Sequence, residues 1–248
     1  MPEPIHLHPT APLAPRVLLP GDPGRALLLA QALLSEPRMF NHNRGLWGYT
    51  GDATDGAPLT IQSTGIGGPS AAIVISELAD LGAERLVRVG TCGAVVDSLT
   101  LGDLLVATEA ICGDGTSRAL RATRGDAGAH APADRQAAAG AEGRLAASPS
   151  LLAALTRAAG GGAARLGPVA STDLFYRDRP PAEWAAAGAL AVEMEAATLF
   201  ALAGLRELEA GAVLIVSDTL AGDHRRIESE ALRAAEHRLG ALALGALA

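Results

Sequence analysis

Short apolar runs alternate with helix-length segments along this chain, and that alternation constrains its fold more than any other feature. Strand-like runs lie at Arg16–Pro20, Trp47–Gly51, Leu59–Ser63, Arg85–Gly90, Leu104–Ala107, Arg165–Ser171 and Ala212–Ser217. Helix-like segments fall between or after them, at Pro23–Leu34, Ser70–Leu81, Pro149–Ala159, Glu183–Ala187, Glu193–Leu205 and Arg226–Leu247. Such a chain predicts one α/β domain with a mixed central sheet and flanking helices. With 49% hydrophobic residues it can bury a substantial core, so residues 1–248 read as a single domain. Only Gly113–Ala147, rich in Ala, Gly, Arg and Asp, lacks a steady period; it reads as an insertion or mobile excursion.

A net charge of −7 argues against a general nucleic-acid or membrane-surface role, which needs a positive field. It leaves room for a local anion site built from a few aimed donors. Every basic residue here is Arg, whose planar fork suits phosphate. No apolar run is long enough to span a bilayer. Cys92 and Cys112 have no metal-ligand spacing and read as free thiols of a reducing cytosol. His6 and His8 form an H-x-H pair without companion ligands, which points to a surface or subunit-contact role rather than to metal binding.

The chemically unusual segments all sit at the ends of strand candidates, where ligands of α/β sheets collect. Gly21-Asp22-Pro23-Gly24-Arg25 is a glycine-bounded turn entering a helix, a natural anion site to which Arg25 adds a fork. Asn43-Arg44-Gly45 is a polar turn. Arg88 interrupts the apolar run Leu86–Val89, where a charge is costly unless paired. A bound oxyanion would pair with it, and so would a structural Asp or Glu. Gly90–Gly93 reads as a turn after that strand, with the Thr91 hydroxyl just past its end. Thr64–Ser70 is a glycine loop whose backbone can approach a ligand closely, or a simple strand-to-helix turn.

In Ala191–Ala197, Glu193 and Glu195 flank Met194. A carboxylate there can accept two hydrogen bonds from a sugar diol, with Met194 as a soft apolar floor. Glu193 also reads as a structural carboxylate near that site. Phe175 and Tyr176 are adjacent aromatics in a chain with only 3% of them. Ser217-Asp218 ends a strand, where Asp218 is either an acid aimed at a ligand or a helix cap.

Taken in order, Gly21-Asp22-Pro23…Arg25, Gly65-Ile66-Gly67…Ser70, Arg88-Val89-Gly90-Thr91-Cys92-Gly93, Ser171–Tyr176, Val192–Ala197 and Ser217-Asp218 resemble the nucleoside phosphorylase-I family, the purine nucleoside and uridine phosphorylases. The resemblance runs from about His6 to the terminal helix. It implies a three-layer α/β/α fold and cleavage of a nucleoside by inorganic phosphate, the co-substrate, to free base and pentose 1-phosphate, a reaction for which neither a metal nor an organic cofactor is expected. On it, Gly21, Arg25, Arg88 and Thr91 hold phosphate, and Arg44 reaches the phosphate of a neighbouring subunit. His6 reaches the neighbour's sugar, and Met194 and Glu195, with Glu193 behind them, hold the ribose. Phe175, Ser217 and Asp218 contact the base, Asp218 being the catalytic acid. A homodimer, within a hexamer, is implied as the working unit. Ser217-Asp218 and the lack of Gln in Arg177–Pro181 favour purines over uracil. Uridine and methylthioadenosine remain alternatives, as do a nucleosidase and a non-catalytic binding protein. The family's purine enzymes place an Arg downstream of the acid to help protonate it; Arg225, Arg226 and Arg233 are available, but none falls on the expected spacing, a departure from the purine pattern.

Overall fold

The computed structural model describes residues 4–123, 143–160, 162–176 and 181–248. Strand β1 (Arg16–Leu19) lies parallel to β4 (Pro58–Gln62) and β5 (Arg85–Ala94). Strands β3 (Gly48–Ala53) and β2 (Leu34–Asn41) continue the sheet antiparallel beyond β4. Strand β10 (Glu209–Thr219) runs parallel along β5, so β1 and then β9 (Ala191–Glu193) share the opposite edge of β5. From β9 the pairing passes through β8 (Arg165–Ser171) and β6 (Leu104–Cys112) back to β10, so five strands close on themselves. Two short strands hang from this ring: β7 (Arg144–Ala146) on β6 and β11 (Arg225–Arg226) on β10.

Helices cover both faces, giving the three layers. On one side α1 (Pro23–Leu33), α4 (Pro149–Ala158) and α7 (Ser229–Leu247) bury Leu29, Leu155 and Leu239 against the sheet. On the other, α2 (Gly68–Asp80) and α6 (Ala196–Arg206) bury Ile75 and Leu199. In α1 the buried positions Ala26, Leu29, Ala30 and Leu33 fall at helical spacing. Asp22 caps that helix, accepting from Gly24 N at 2.9 Å, and Pro23 opens it. The short α5 (Pro181–Ala186) buries Trp184 beside Val95, Ile111 and Val192.

Three local expectations change. Gly90–Gly93 is not a turn: β5 runs through it, because β10 pairs there along one edge and β9 takes up Gly93 on the other. Strand β2 lacks a readable pattern, containing Pro37 and an exposed stretch Ser35–Met39, and forms only as the antiparallel partner of β3. The ends of Gly113–Ala147 are integral to the fold. Helix α3 (Gly115–Thr123) packs on α6 behind the buried cap Asp114, which accepts from Ser117 N at 2.7 Å, and β7 pairs with β6. Residues 124–142 lie outside the described residues.

At the start of β1, opposite the rim that carries the unusual segments, Arg16 donates both Nη groups to Asp55 at 2.6 Å. Its remaining N–H bonds reach the carbonyls of Pro58 and Ala57 at 2.7 and 2.6 Å. Arg85 caps the end of α7 through Leu247 O at 2.9 Å. Helix α7 therefore spans the molecule from the rim, where β11 leads into it, to this base.

Candidate active site

Strand alternation puts Leu86, Arg88 and Gly90 on one face of β5, toward α2 and α6. Arg88 is buried there and is paired by protein carboxylates: its Nε donates to Glu193 Oε2 at 2.8 Å, and its Nη2 contacts Glu195 Oε2. A Cβ at Gly90 would lie 2.9 Å from the Arg88 guanidinium carbon, so glycine lets that side chain fold back over the strand.

The two acids differ in what remains to them. Glu193 is saturated, accepting from Arg88 Nε, Ser171 Oγ, Glu195 N and Ala196 N, and so also caps α6. Glu195 receives one donor on each oxygen, Gly67 N on Oε1 and Arg88 on Oε2, and keeps lone pairs to offer. Burial pushes its pKa up, against the opposing pull of Arg88. The structural reading accounts for every contact of Glu193; a diol-accepting role suits Glu195.

The Gly67 donor comes from the loop of residues 64–67 that leads into α2, where Gly65 and Gly67 take φ of 73° and 85°, a left-handed backbone that suits glycine. This loop also touches the turn after β1. Thr64 N donates to Pro20 O at 2.9 Å, and a Cβ on Gly21 would meet Gly65 O at 3.2 Å. Gly21, Gly67, Arg88 and Glu195 are thus brought to one rim by neighbouring loops. Beside them opens a cleft of about 710 Å³ lined by Ile66, Gly67, Gly115, Thr116, Asp173 and Met194, a size that fits a small organic ligand.

Asp218 arrives at the same rim from β10. It pairs in register with Gly93, which on its other edge pairs with Val192, next to Glu193. A bulge at Ser217 re-aims the strand end, and Ser217 Oγ bonds Asp218 Oδ2 at 2.7 Å. Among the described residues Asp218 caps no helix. The Cys92 thiol sits among these groups: burial pushes its pKa far up, Glu193 and Asp218 add to that, and Arg88 opposes it. It is an inert thiol that marks where β5, β9 and β10 converge. The β10–β11 hairpin pairs Asp218 with Arg226, whose Nε lies 3.8 Å from Asp218 Oδ1. Of the three downstream arginines, the hairpin brings Arg226 beside Asp218.

The other predicted residues form no hydrogen bond or ion pair with Arg88 or the Glu195 carboxylate among the described residues. Arg25 is buried and donates Nε to Glu236 Oε1 of α7 at 2.8 Å; it contacts neither Arg88 nor Glu195. Thr91 is half-buried on β5. Arg44 is exposed, in a left-handed conformation (φ 57°, ψ 19°), with no hydrogen-bond or ion-pair partner among the described residues. His6 is half-buried, its Nδ1 2.7 Å from Glu77 Oε1. Glu77 lies about 14 Å along α2 from the Gly67–Glu195 contact. Phe175 and Tyr176 are exposed and meet edge to face at 5.1 Å, and Arg177–Pro180 lie outside the described residues. Among the described residues no group of three or more His, Cys, Asp or Glu is placed to hold a metal ion, and no helix is long and apolar enough to cross a membrane.

Residues 15–248 match the phosphorylase superfamily. The chain belongs to that superfamily. It is 37% identical over 84% of its length to a DeoD-type purine nucleoside phosphorylase of Clostridium perfringens, covering 83% of that protein. It is 38% identical over 81% of its length to a uridine phosphorylase of Treponema pallidum, covering 76% of that protein. The crystal structure of purine nucleoside phosphorylase from Toxoplasma gondii in complex with immucillin-H superposes with a TM-score of 0.78 at 25% identity, over 94% of this chain and 90% of that one.

Proposed function

We propose that this phosphorylase superfamily member is a pentosyltransferase that cleaves purine nucleosides with inorganic phosphate, releasing the free base and (deoxy)ribose 1-phosphate. The observation that carries the reading is Arg88 held between Glu193 and Glu195, which puts an anion-binding fork against a diol-accepting acid. Glu195 holds the sugar hydroxyls over Met194. Phosphate lies on Gly21, Arg25, Arg88 and Thr91, close to the anomeric carbon. As the glycosidic C–N bond breaks, the sugar gains positive charge and a phosphate oxygen forms the new C–O bond. The departing base takes a proton at N7 from Asp218, and Arg226 stabilises the carboxylate left behind.

The preference for purines rests on Asp218 with Ser217 and Arg226 beside it. The relatives include both purine and uridine enzymes. A panel of inosine, adenosine, guanosine, methylthioadenosine and uridine, each with and without phosphate, tests this. Cleavage is expected to require phosphate and to be fastest with a purine; full activity without phosphate would make the protein a nucleosidase. Asp218→Asn should lower kcat about 10²–10⁴-fold for ordinary purines, and less for bases that leave without a proton. Equal losses for both would refute the acid role.

The working unit in this reading is a homodimer or a hexamer built from dimers, acting in the cytoplasm. Arg44 has no hydrogen-bond or ion-pair partner among the described residues, and His6 is held on Glu77, away from its own Glu195, as residues serving a neighbour's site would be. A fully active monomer in light scattering would overturn this.

A further inference from the structure

The two buried rim arginines are held in the same way. Arg88 gives Nε to Glu193 and Arg25 gives Nε to Glu236, each at 2.8 Å and each to a buried carboxylate from another element. A carboxylate at Nε grips one edge of the planar guanidinium and fixes its plane. Arg25 Nη1 and Nη2 have no protein partner among the described residues, so they remain as donors. Glu236 interrupts the buried side of α7 between Ala235 and Leu239, a costly place for a charge unless it is paired. Helix α7 starts at the hairpin that carries Asp218 and Arg226, and Glu236 lies about two turns in.

We infer that Glu236 is a positioning residue for phosphate, acting through Arg25. It orients the Arg25 fork toward the turn at Gly21 and so links the phosphate half of the site to the terminal helix. The inference rests on the phosphate role proposed above for Arg25, and the test separates the two. Steady-state kinetics with inorganic phosphate as the varied substrate are measured for Arg25→Ala, Glu236→Gln and Glu209→Gln. Glu209→Gln is the control, since it breaks the tie to Arg85, which caps the far end of α7. Glu236→Gln is expected to raise the phosphate KM about five- to tenfold. The nucleoside KM and the kcat at saturating phosphate should stay within about twofold. The control should leave the phosphate KM unchanged. If Arg25→Ala raises the phosphate KM and Glu236→Gln leaves it unchanged or lowers it, the inference is overturned: the pair is a structural tie or a competitor of phosphate. If Arg25→Ala itself leaves it unchanged, the phosphate role of Arg25 fails, and this inference with it. Should Glu236→Gln not fold, Glu236→Asp, which keeps the charge but shortens its reach, is read in the same way.

Discussion

Arg16 at the base of the sheet and Arg88 at its rim are both buried, and both are paired with carboxylates, but they are left in different states. Arg16 is saturated: Asp55 takes both Nη groups, and the Pro58 and Ala57 carbonyls take further N–H bonds. Its partner is held ionised, the Asp55 carboxyl being lowered from 3.8 to about 2 by the Arg16 hydrogen bond first of all. At the rim, Arg88 shares itself between a saturated acid, Glu193, and an unsaturated one, Glu195, whose pKa burial pushes up. A closed ion pair serves structure. One that leaves lone pairs and N–H bonds available, in a costly environment, can exchange its partner for a ligand.

Matched substitutions break that comparison most directly. Arg88→Met should lower kcat/KM about 10²–10³-fold, whereas Arg16→Met should leave the kcat/KM of the folded enzyme unchanged. Both substitutions should cost stability by denaturant titration: Arg88→Met about 3 kcal/mol, because it leaves the buried Glu193 and Glu195 without their cation, and Arg16→Met about 1 kcal/mol, because the Asp55 carboxylate it leaves behind is open to water. Equal catalytic losses in the two variants would dissolve the distinction. Ser171→Ala sharpens it. The Ser171 hydroxyl donates to Glu193 and accepts from Ala197 N at 2.9 Å, so its loss should cost about 1–2 kcal/mol and lower kcat/KM several-fold by loosening Arg88. Unchanged kinetics would show that Glu193 holds Arg88 without help. The smallest effect concerns pH. Because the folded Asp55 pKa is depressed, its contribution to stability is complete above 3.8 and is lost as pH falls toward about 2. In Asp55→Asn that part of the acid dependence should vanish from urea midpoints measured across the window.

Much of this site is legible in the sequence because burying a charge is expensive. Arg88 stands out against Leu86, Val87 and Val89, and the same signal was present at Glu236 between Ala235 and Leu239, where the long helical pattern of the terminal segment concealed it. Ser171 appeared only as the first residue of the Ser171–Tyr176 segment; nothing local marks a lone serine as the partner of an acid on the adjacent strand.

By itself the sequence determined the alternation of strands and helices, the two-faced core and the loops at strand ends, because side-chain periodicity and turn chemistry act over a few residues. Tertiary structure alone decided that Gly90–Gly93 stays extended, that five strands close into a ring, that Arg226 faces Asp218 and that Arg25 lies on Glu236. Each of these depends on groups far apart in the chain, joined by backbone pairing and buried charge compensation. Such contacts leave no periodic trace in the segments that make them.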